Sequence, residues 1–104
     1  MFKLSFYVPE SHLETVKEAL FAAGAGRVGD YECCCWQTRG QGQFRPLPGS
    51  DPFIGEACKL ETVVEYKVEM VCEDPLAPAL VKALRGAHPY EEPAFDLVRV
   101  LEVD

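Results

Sequence analysis

The chain has 104 residues and a formal net charge of −7, with 48% hydrophobic and 26% charged residues. This length suits a single domain over residues 1–104 with one core, and the composition is that of a folded globular protein. The acidic balance argues against a nucleic-acid partner, because phosphate binding needs clustered Lys and Arg, and the ten present are spread singly along the chain.

The sequence also predicts in which cellular compartment the protein is located. No apolar run approaches the roughly 20 residues that span a bilayer. Residues 1–5 begin a strand pattern without the apolar segment of a signal peptide. We therefore predict a cytoplasmic protein with no membrane partner. The five cysteines are expected to be free thiols in that compartment, most of them buried.

The first predicted elements are a strand and a helix. Residues 2–8 alternate apolar and polar side chains, which is typical of a half-buried strand. Ser11 and Glu14 have the spacing of a helix capping box, with Ser11 at the N-cap. Apolar residues then recur at helical spacing as far as Gly24, which is expected to end the helix.

A second strand is predicted over residues 31–38, and it carries three adjacent cysteines. Alternation along a strand places Cys33 and Cys35 on one face and Cys34 on the other. The three thiols therefore do not suit one tetrahedral metal site. A soft-metal role for Cys33 and Cys35, with help from another cysteine, remains an alternative to buried strand thiols.

The middle of the chain is predicted to form a hairpin and a loop. Residues 39–42 have the glycine spacing of a tight hairpin, with residues 43–46 as its short return strand. Residues 47–58 are rich in turn formers and predict a loop. Its Phe53-Ile54 pair is expected to pin the loop to the body or to another subunit.

The last third predicts a long strand, a helix and a final strand. Residues 60–72 alternate throughout and exceed the usual strand length of about five or six residues, which predicts pairing beyond the subunit's own sheet. Asp74 and Pro75 have helix N-cap and N1 character, and residues 95–103 predict the last strand. The order indicates an α+β, ferredoxin-like βαββαβ sandwich: an antiparallel sheet with two helices on one face plus an extra hairpin strand.

The candidate site is the segment His88-Pro89-Tyr90-Glu91-Glu92-Pro93, hereafter the corner. Each proline fixes its own φ and favours extended geometry in the residue before it, so a stiff turn is expected. His88, Tyr90, Glu91 and Glu92 are the predicted ligand-binding residues, and His88 is also a candidate metal ligand. The structural alternative is a helix stop followed by an edge strand, with solvated carboxylates.

Several ordered motifs resemble the PII/CutA-like insert of Nif-three-like dimetal proteins, the Ngg-interacting-factor family. The motifs are Gly29-Asp30-Tyr31-Glu32-Cys33, Gly40-x-Gly42-x-Phe44-x-Pro46, Gly49-Ser50-x-Pro52-x-x-Gly55, Glu61-x-x-x-Glu65 and His88-Pro89-Tyr90-Glu91-Glu92-Pro93-Ala94-Phe95-Asp96. The topology and the corner are more distantly similar to the CutA family of trimeric, PII-like proteins.

This resemblance implies a PII/CutA-like domain and a homo-oligomer, with a trimer expected and a dimer as the alternative. The chain looks like the insert standing alone. In the full-length family the two metals are held by domains that flank this insert, so no metal ligand carries over from them. CutA relatives are linked to divalent copper, which makes a divalent metal ion the candidate cofactor.

Three functions are compatible with these patterns. The favoured one is a non-enzymatic oligomeric module that binds a small ligand, a metal ion or a partner protein. The second is a copper-type, divalent-metal-binding protein like CutA, using His88 or the thiols. The third is a hydrolase-like enzyme in which His88 and Glu91 or Glu92 act as an acid–base pair. The third lacks a nucleophile motif or cofactor loop to support it.

Overall fold

Four strands and two helices form the fold of residues 1–103, the part of the chain that the computed structural model describes. The strands form an antiparallel sheet in the order β2-β3-β1-β4, and the helices share one core with one face of that sheet. The predicted ferredoxin-like α+β class is confirmed. The elements are β1 Phe2–Pro9, a 3-10 turn Glu10–His12, α1 Leu13–Ala22, β2 Trp36–Phe44, β3 Glu61–Cys72, a 3-10 turn Asp74–Leu76, α2 Ala77–Ala87 and β4 Phe95–Arg99.

The core follows the predicted periodicities. Every second residue of β1 and of the second half of β3 faces the helices, as strand geometry requires, and the apolar stripe of each helix faces the sheet. Burying these side chains is the main favourable contribution to folding. The buried residues of this hydrophobic core are Leu4, Phe6, Val8, Leu13, Val16, Leu20, Ala25, Val68, Met70, Cys72, Leu80 and Leu84.

The helix starts differ from prediction. Ser11 makes no cap bond, because residues 10–12 form a 3-10 turn and the Ser11 hydroxyl pairs with the His12 ring at 2.9 Å. Asp74 likewise makes no cap bond; its carboxylate accepts a hydrogen bond from the Arg99 guanidinium at 3.0 Å. The predicted end at Gly24 is confirmed, since Gly24 has φ +105°, the left-handed region that favours glycine.

The predicted hairpin at residues 39–42 is wrong. Residues 36–44 form one continuous strand, so the extra hairpin strand does not exist. Hairpin turns of two residues need positive φ, and neither Gly40 nor Gly42 has it. The Glu65 carboxylate instead occupies the space where a Gly42 side chain would project. Gly42 therefore provides room for a neighbouring strand's side chain.

The three adjacent cysteines lie outside the sheet. Residues 33–35 belong to the loop before β2, where Cys33 has φ +59° and interrupts any strand. Cys33, Cys35 and Cys58 are exposed, Cys34 is half-buried and Cys72 is buried. The prediction of mostly buried thiols is thus wrong, because it depended on placing residues 31–38 in a strand. All five are free thiols.

Strand β3 is nearly as long as predicted, and one end of it extends beyond β1. The pairing of β1 with β3 ends at Pro9 and Glu65, whereas β2 stays paired with β3 as far as Phe44 and Glu61. The result is a two-stranded extension of residues 40–44 and 61–65, hereafter the arm. Within residues 1–103, no helix is long and apolar enough to cross a membrane.

Candidate functional site

A cavity of about 280 Å³ lies where the arm meets the corner. Its wall combines residues from β1, β2 and β3, the loop of residues 46–58 (hereafter the pocket loop) and the corner. We call this cavity the aromatic pocket. The lining residues are Tyr7, Gln43, Phe44, Pro46, Ser50, Pro52, Phe53, Ile54, Glu65, Tyr90, Glu91, Glu92 and Ala94.

Three aromatic rings form the apolar part of this wall. The ring of Tyr90 packs near both of the others, with its centroid 6.2 Å from that of Phe44 and 6.4 Å from that of Phe53, and with interplanar angles of 53° and 48°. These separations are within the range of favourable aromatic pairs. The rings come from β2, the pocket loop and the corner, so the pocket exists only when these three segments are folded together.

Glu65 is the carboxylate built into the sheet. It lies on β3 opposite Gly40, and its side chain crosses the position left free by Gly42. Burial raises the pKa of the Glu65 carboxyl above its usual value. A carboxylate held in a partly dehydrated site gains from a positively charged or hydrogen-bonding partner.

The hydroxyl of Tyr90 is the second polar group of the pocket. It is buried and has no hydrogen-bond partner within residues 1–103. Burial, and less so the charge of Glu65, raise the pKa of this phenol. A buried hydroxyl without a partner is uncommon, because burial without compensation costs about 1–3 kcal/mol.

His88 supports the pocket from behind and does not line it. Its Nε2 lies 2.6 Å from the Tyr7 carbonyl oxygen, and its Nδ1 accepts a hydrogen bond from the Tyr90 N–H at 3.1 Å. These two bonds require the neutral ring with its proton on Nε2. Burial lowers the pKa of His88, against the opposing effect of the Tyr7 carbonyl. His88 therefore fixes Tyr90 against β1, and their rings lie 4.9 Å apart.

The predicted contact between His88 and a corner carboxylate is wrong. Both ring nitrogens of His88 bond to main-chain atoms, and Glu91 accepts a hydrogen bond from the Asp51 N–H at 3.1 Å. Glu91 thus ties the pocket loop to the corner. Of the four predicted ligand-binding residues, Tyr90, Glu91 and Glu92 line one cavity and His88 does not.

The pocket loop is held at several points. The Cys58 N–H donates to the Pro46 carbonyl at 2.7 Å, which joins the two ends of the loop. Ser50 caps a turn inside it by donating its hydroxyl to the Leu47 carbonyl at 2.7 Å. The ring of Phe53 contacts the rings of His12 and Tyr90, with centroid distances of 5.3 and 6.4 Å, although the residue remains 51% exposed. Through Phe53, the predicted Phe53-Ile54 pair therefore contacts the body of the same chain.

The candidate metal ligands do not form a metal site. His88 is buried with both nitrogens engaged, whereas Cys33 and Cys35 are exposed on the loop before β2. Among the residues that the structure describes, no three His, Cys, Asp or Glu side chains converge on one point. These residues do not fit a divalent metal ion, which needs several converging ligands.

Sequence reasoning missed three of the residues that shape the pocket. Phe44, Phe53 and Glu65 are distant from the corner in sequence, and only the fold brings them to it. One signal existed for Glu65, an acidic residue on a strand opposite a glycine-rich partner. Without the correct pairing of β2 with β3, that signal could not be linked to the corner.

The fold and the site define an α+β domain with a CutA-like sheet and an aromatic pocket at its corner. No protein-family model matches the chain. The chain is 45% identical over 95 residues to a GTP cyclohydrolase 1 type 2 homolog from Mycobacterium leprae, covering 91% of the chain and 25% of that protein. A GTP cyclohydrolase 1 type 2 homolog from Bacillus subtilis is 44% identical over 98 residues, covering 94% of the chain and 26% of that protein.

Comparison with solved structures also finds a segment of a larger protein that is similar to this chain. A Bacillus cereus protein related to NIF3 matches with a TM-score of 0.80 and 37% identity, covering 93% of this chain and 24% of that one. CutA1 from Pyrococcus horikoshii matches with a TM-score of 0.69 at 18% identity, covering 100% and 87%, which shows a shared fold. The predicted resemblance is confirmed: the chain is homologous to one segment of NIF3-related proteins and spans about a quarter of their length.

Proposed function

We propose that this domain is a non-enzymatic binding module that takes a small ligand in the aromatic pocket. The observation that carries the proposal is the cavity itself, in which the rings of Phe44, Phe53 and Tyr90 form an apolar wall beside the Glu65 carboxylate. A largely apolar cavity with a few polar groups is the usual form of a small-molecule site. The rings supply contact area, while Glu65 supplies orientation.

A nucleoside triphosphate does not suit this cavity, although the relatives are named as homologues of a GTP cyclohydrolase. The lining includes the carboxylates of Glu65, Glu91 and Glu92, which repel phosphate. At about 280 Å³ the cavity is also near the lower limit for small-ligand pockets. The proposed ligand is therefore small and carries no phosphate.

A fragment screen followed by protein-observed NMR tests this proposal. We expect binding fragments to shift the signals of Phe53, Glu65 and Tyr90 more than those of the helices. The Tyr90→Leu variant, which keeps an apolar side chain and removes the ring, should lose affinity for aromatic fragments that pack against this ring. A screen in which no fragment shifts these signals would contradict the proposal.

We also propose that the domain works as a homo-oligomer, a trimer first and a dimer second. The arm supports this, because an isolated two-stranded ribbon is marginally stable in water. Leu60 and Val64 at the arm are 54% and 41% exposed, and Trp36 at the other end of β2 is 69% exposed. A second copy packed against β2 would cover these side chains. Light scattering that gave a monomer of 11.6 kDa at micromolar concentration would contradict this.

A further inference from the structure

The ionisable residues of the aromatic pocket all carry negative charge or none. The lining includes three carboxylates, Glu65, Glu91 and Glu92, and two phenols, Tyr7 and Tyr90. None of the lining residues is Lys, Arg or His. His12 and His88 contact the rings of Phe53 and Tyr90 without lining the cavity. The potential inside the pocket is therefore negative.

The aromatic rings add to this potential. The face of an aromatic ring carries partial negative charge, and it attracts a cation within about 6 Å of its centroid. The rings of Phe44 and Phe53 are each tilted by about 50° relative to Tyr90, and all three residues line the same cavity. A group bound in the cavity could therefore contact more than one ring, as an alkylated ammonium group does in an aromatic cage.

We infer that the ligand of this pocket is an organic cation, an ammonium group carried on a small apolar body. This inference rests on the proposed ligand-binding function and names the class of ligand. The rings would hold the alkyl groups of the ammonium, while the Glu65 carboxylate would supply the opposite charge. The contact with the Glu65 carboxylate gains strength from the partial burial of that side chain, since charges interact more strongly where there is less water.

An inorganic cation would not use these features. Calcium and magnesium take six or more oxygen ligands, or keep several waters. The three lining carboxylates, Glu65, Glu91 and Glu92, do not converge as a metal-binding group in the described part of the chain. An alkylated ammonium is weakly hydrated and matches an apolar wall, so the combination of aromatic rings with carboxylates that do not converge favours it.

Three probes of similar shape but different charge test the inference. Choline carries a trimethylammonium group, 3,3-dimethylbutan-1-ol is its neutral counterpart, and 3,3-dimethylbutyrate carries the opposite charge. Each is titrated into the full chain and followed by NMR shifts at Phe53 and Tyr90. We expect choline to bind about tenfold more tightly than the neutral alcohol, as cation–π and carboxylate contacts predict. The carboxylate should bind more weakly than either.

Two variants assign the effect to residues. Glu65→Gln keeps the shape and removes the charge, and Phe53→Leu keeps an apolar side chain and removes the ring. Each should reduce the preference for choline over the neutral alcohol by about threefold to tenfold. Glu18→Gln is the matched control, because Glu18 is exposed on α1 and its loss changes the net charge equally. This control should keep the full preference.

The outcomes separate this inference from the proposed function. Equal binding of the three probes, or a preference for the carboxylate, overturns the organic cation and leaves a ligand-binding pocket. A choline preference that survives in both Glu65→Gln and Phe53→Leu also overturns it, since the cation would then bind elsewhere. Failure of choline to bind overturns it as well. The proposed ligand-binding function is contradicted by a different result, namely a fragment screen in which no fragment shifts the signals of Phe53, Glu65 and Tyr90.

Discussion

The body of the domain and its pocket region differ in the kind of side chain that each of them buries. The body, made of β1, the two helices and residues 66–72, buries aliphatic side chains, with Leu4, Leu20 and Leu80 fully inaccessible to solvent. The pocket region, made of the arm, the pocket loop and the corner, leaves a buried hydroxyl without a partner and a carboxylate partly dehydrated. Polar groups left in this state reduce stability. The contrast indicates that the body supports the fold, and it agrees with our proposal that the pocket region binds a ligand.

We expect the largest effect on stability from a Leu→Ala substitution in the body, and a much smaller effect from the same substitution in the pocket region. Leu80→Ala in α2 removes a fully buried side chain and should lower the free energy of unfolding by about 2–5 kcal/mol. Leu47→Ala in the pocket loop removes one that is 71% exposed and should change it by less than about 0.5 kcal/mol. Denaturant unfolding measures both. Similar losses for the two variants would contradict the division.

His88 joins the two regions, and its replacement should have the next largest effect. His88→Ala leaves the Tyr7 carbonyl and the Tyr90 N–H without their ring partner. We expect a loss of about 1–3 kcal/mol in the free energy of unfolding, together with NMR shifts at Tyr90. A variant as stable as the wild type, with unchanged Tyr90 signals, would show that His88 does not hold the corner.

The same histidine predicts a pH dependence. Burial lowers the pKa of His88 below its unfolded value of 6.5, so the unfolded chain takes up the proton first as pH falls. Stability should therefore be constant for this group above pH 6.5 and decline as pH drops from there towards the lowered folded pKa. Melting temperatures of wild type and His88→Gln across this range measure it. The variant should lack that part of the decline.

Replacing either of two glutamates on β3, Glu65 or Glu69, should change the stability less, and the two changes should have opposite signs. Burial raises the pKa of Glu65, so neutralising it in Glu65→Gln should stabilise the fold at pH 7, by less than about 1 kcal/mol because the side chain is only half-buried. A hydrogen bond from Lys3 lowers the pKa of Glu69, so Glu69→Gln should destabilise the fold. Melting temperatures that shift in the same direction would contradict this assignment.

The thiols give the smallest expected effect. Cys33, Cys35 and Cys58 are exposed and should react with a thiol reagent in the native protein, whereas buried Cys72 should react only after denaturation. Cys33→Ser and Cys35→Ser should each change the free energy of unfolding by less than about 0.5 kcal/mol. Fast native reaction of Cys72 would contradict its place in the core.

Most of the body could be predicted from the sequence, because its signals are local. Alternation over residues 2–8 and 60–72 and helical spacing over residues 13–23 each follow from one element and its burial. Strand β2 could not be predicted, because the glycines at 40 and 42 have the spacing of a turn. Their actual role depends on Glu65, more than twenty positions away.

The candidate site could be predicted only in part, because some of its contacts join residues that are distant in sequence. The corner is a local signal, and Tyr90, Glu91 and Glu92 do line one cavity. The orientation of His88 depends on the main-chain carbonyl of Tyr7 in β1, a partner that no side-chain pattern reveals. The rings of Phe44 and Phe53 reach the corner only through strand pairing and loop closure.

The bond between the Cys58 N–H and the Pro46 carbonyl makes the pocket loop a closed unit, comparable to an Ω-loop. Because its ends are joined at the base, residues 47–57 can be exchanged or lengthened at small entropic cost and without moving β2 or β3. Ser50, Pro52 and Ile54 face the cavity from this loop. Randomising these three positions on the unchanged body would turn the domain into a compact scaffold for selecting receptors of new small molecules.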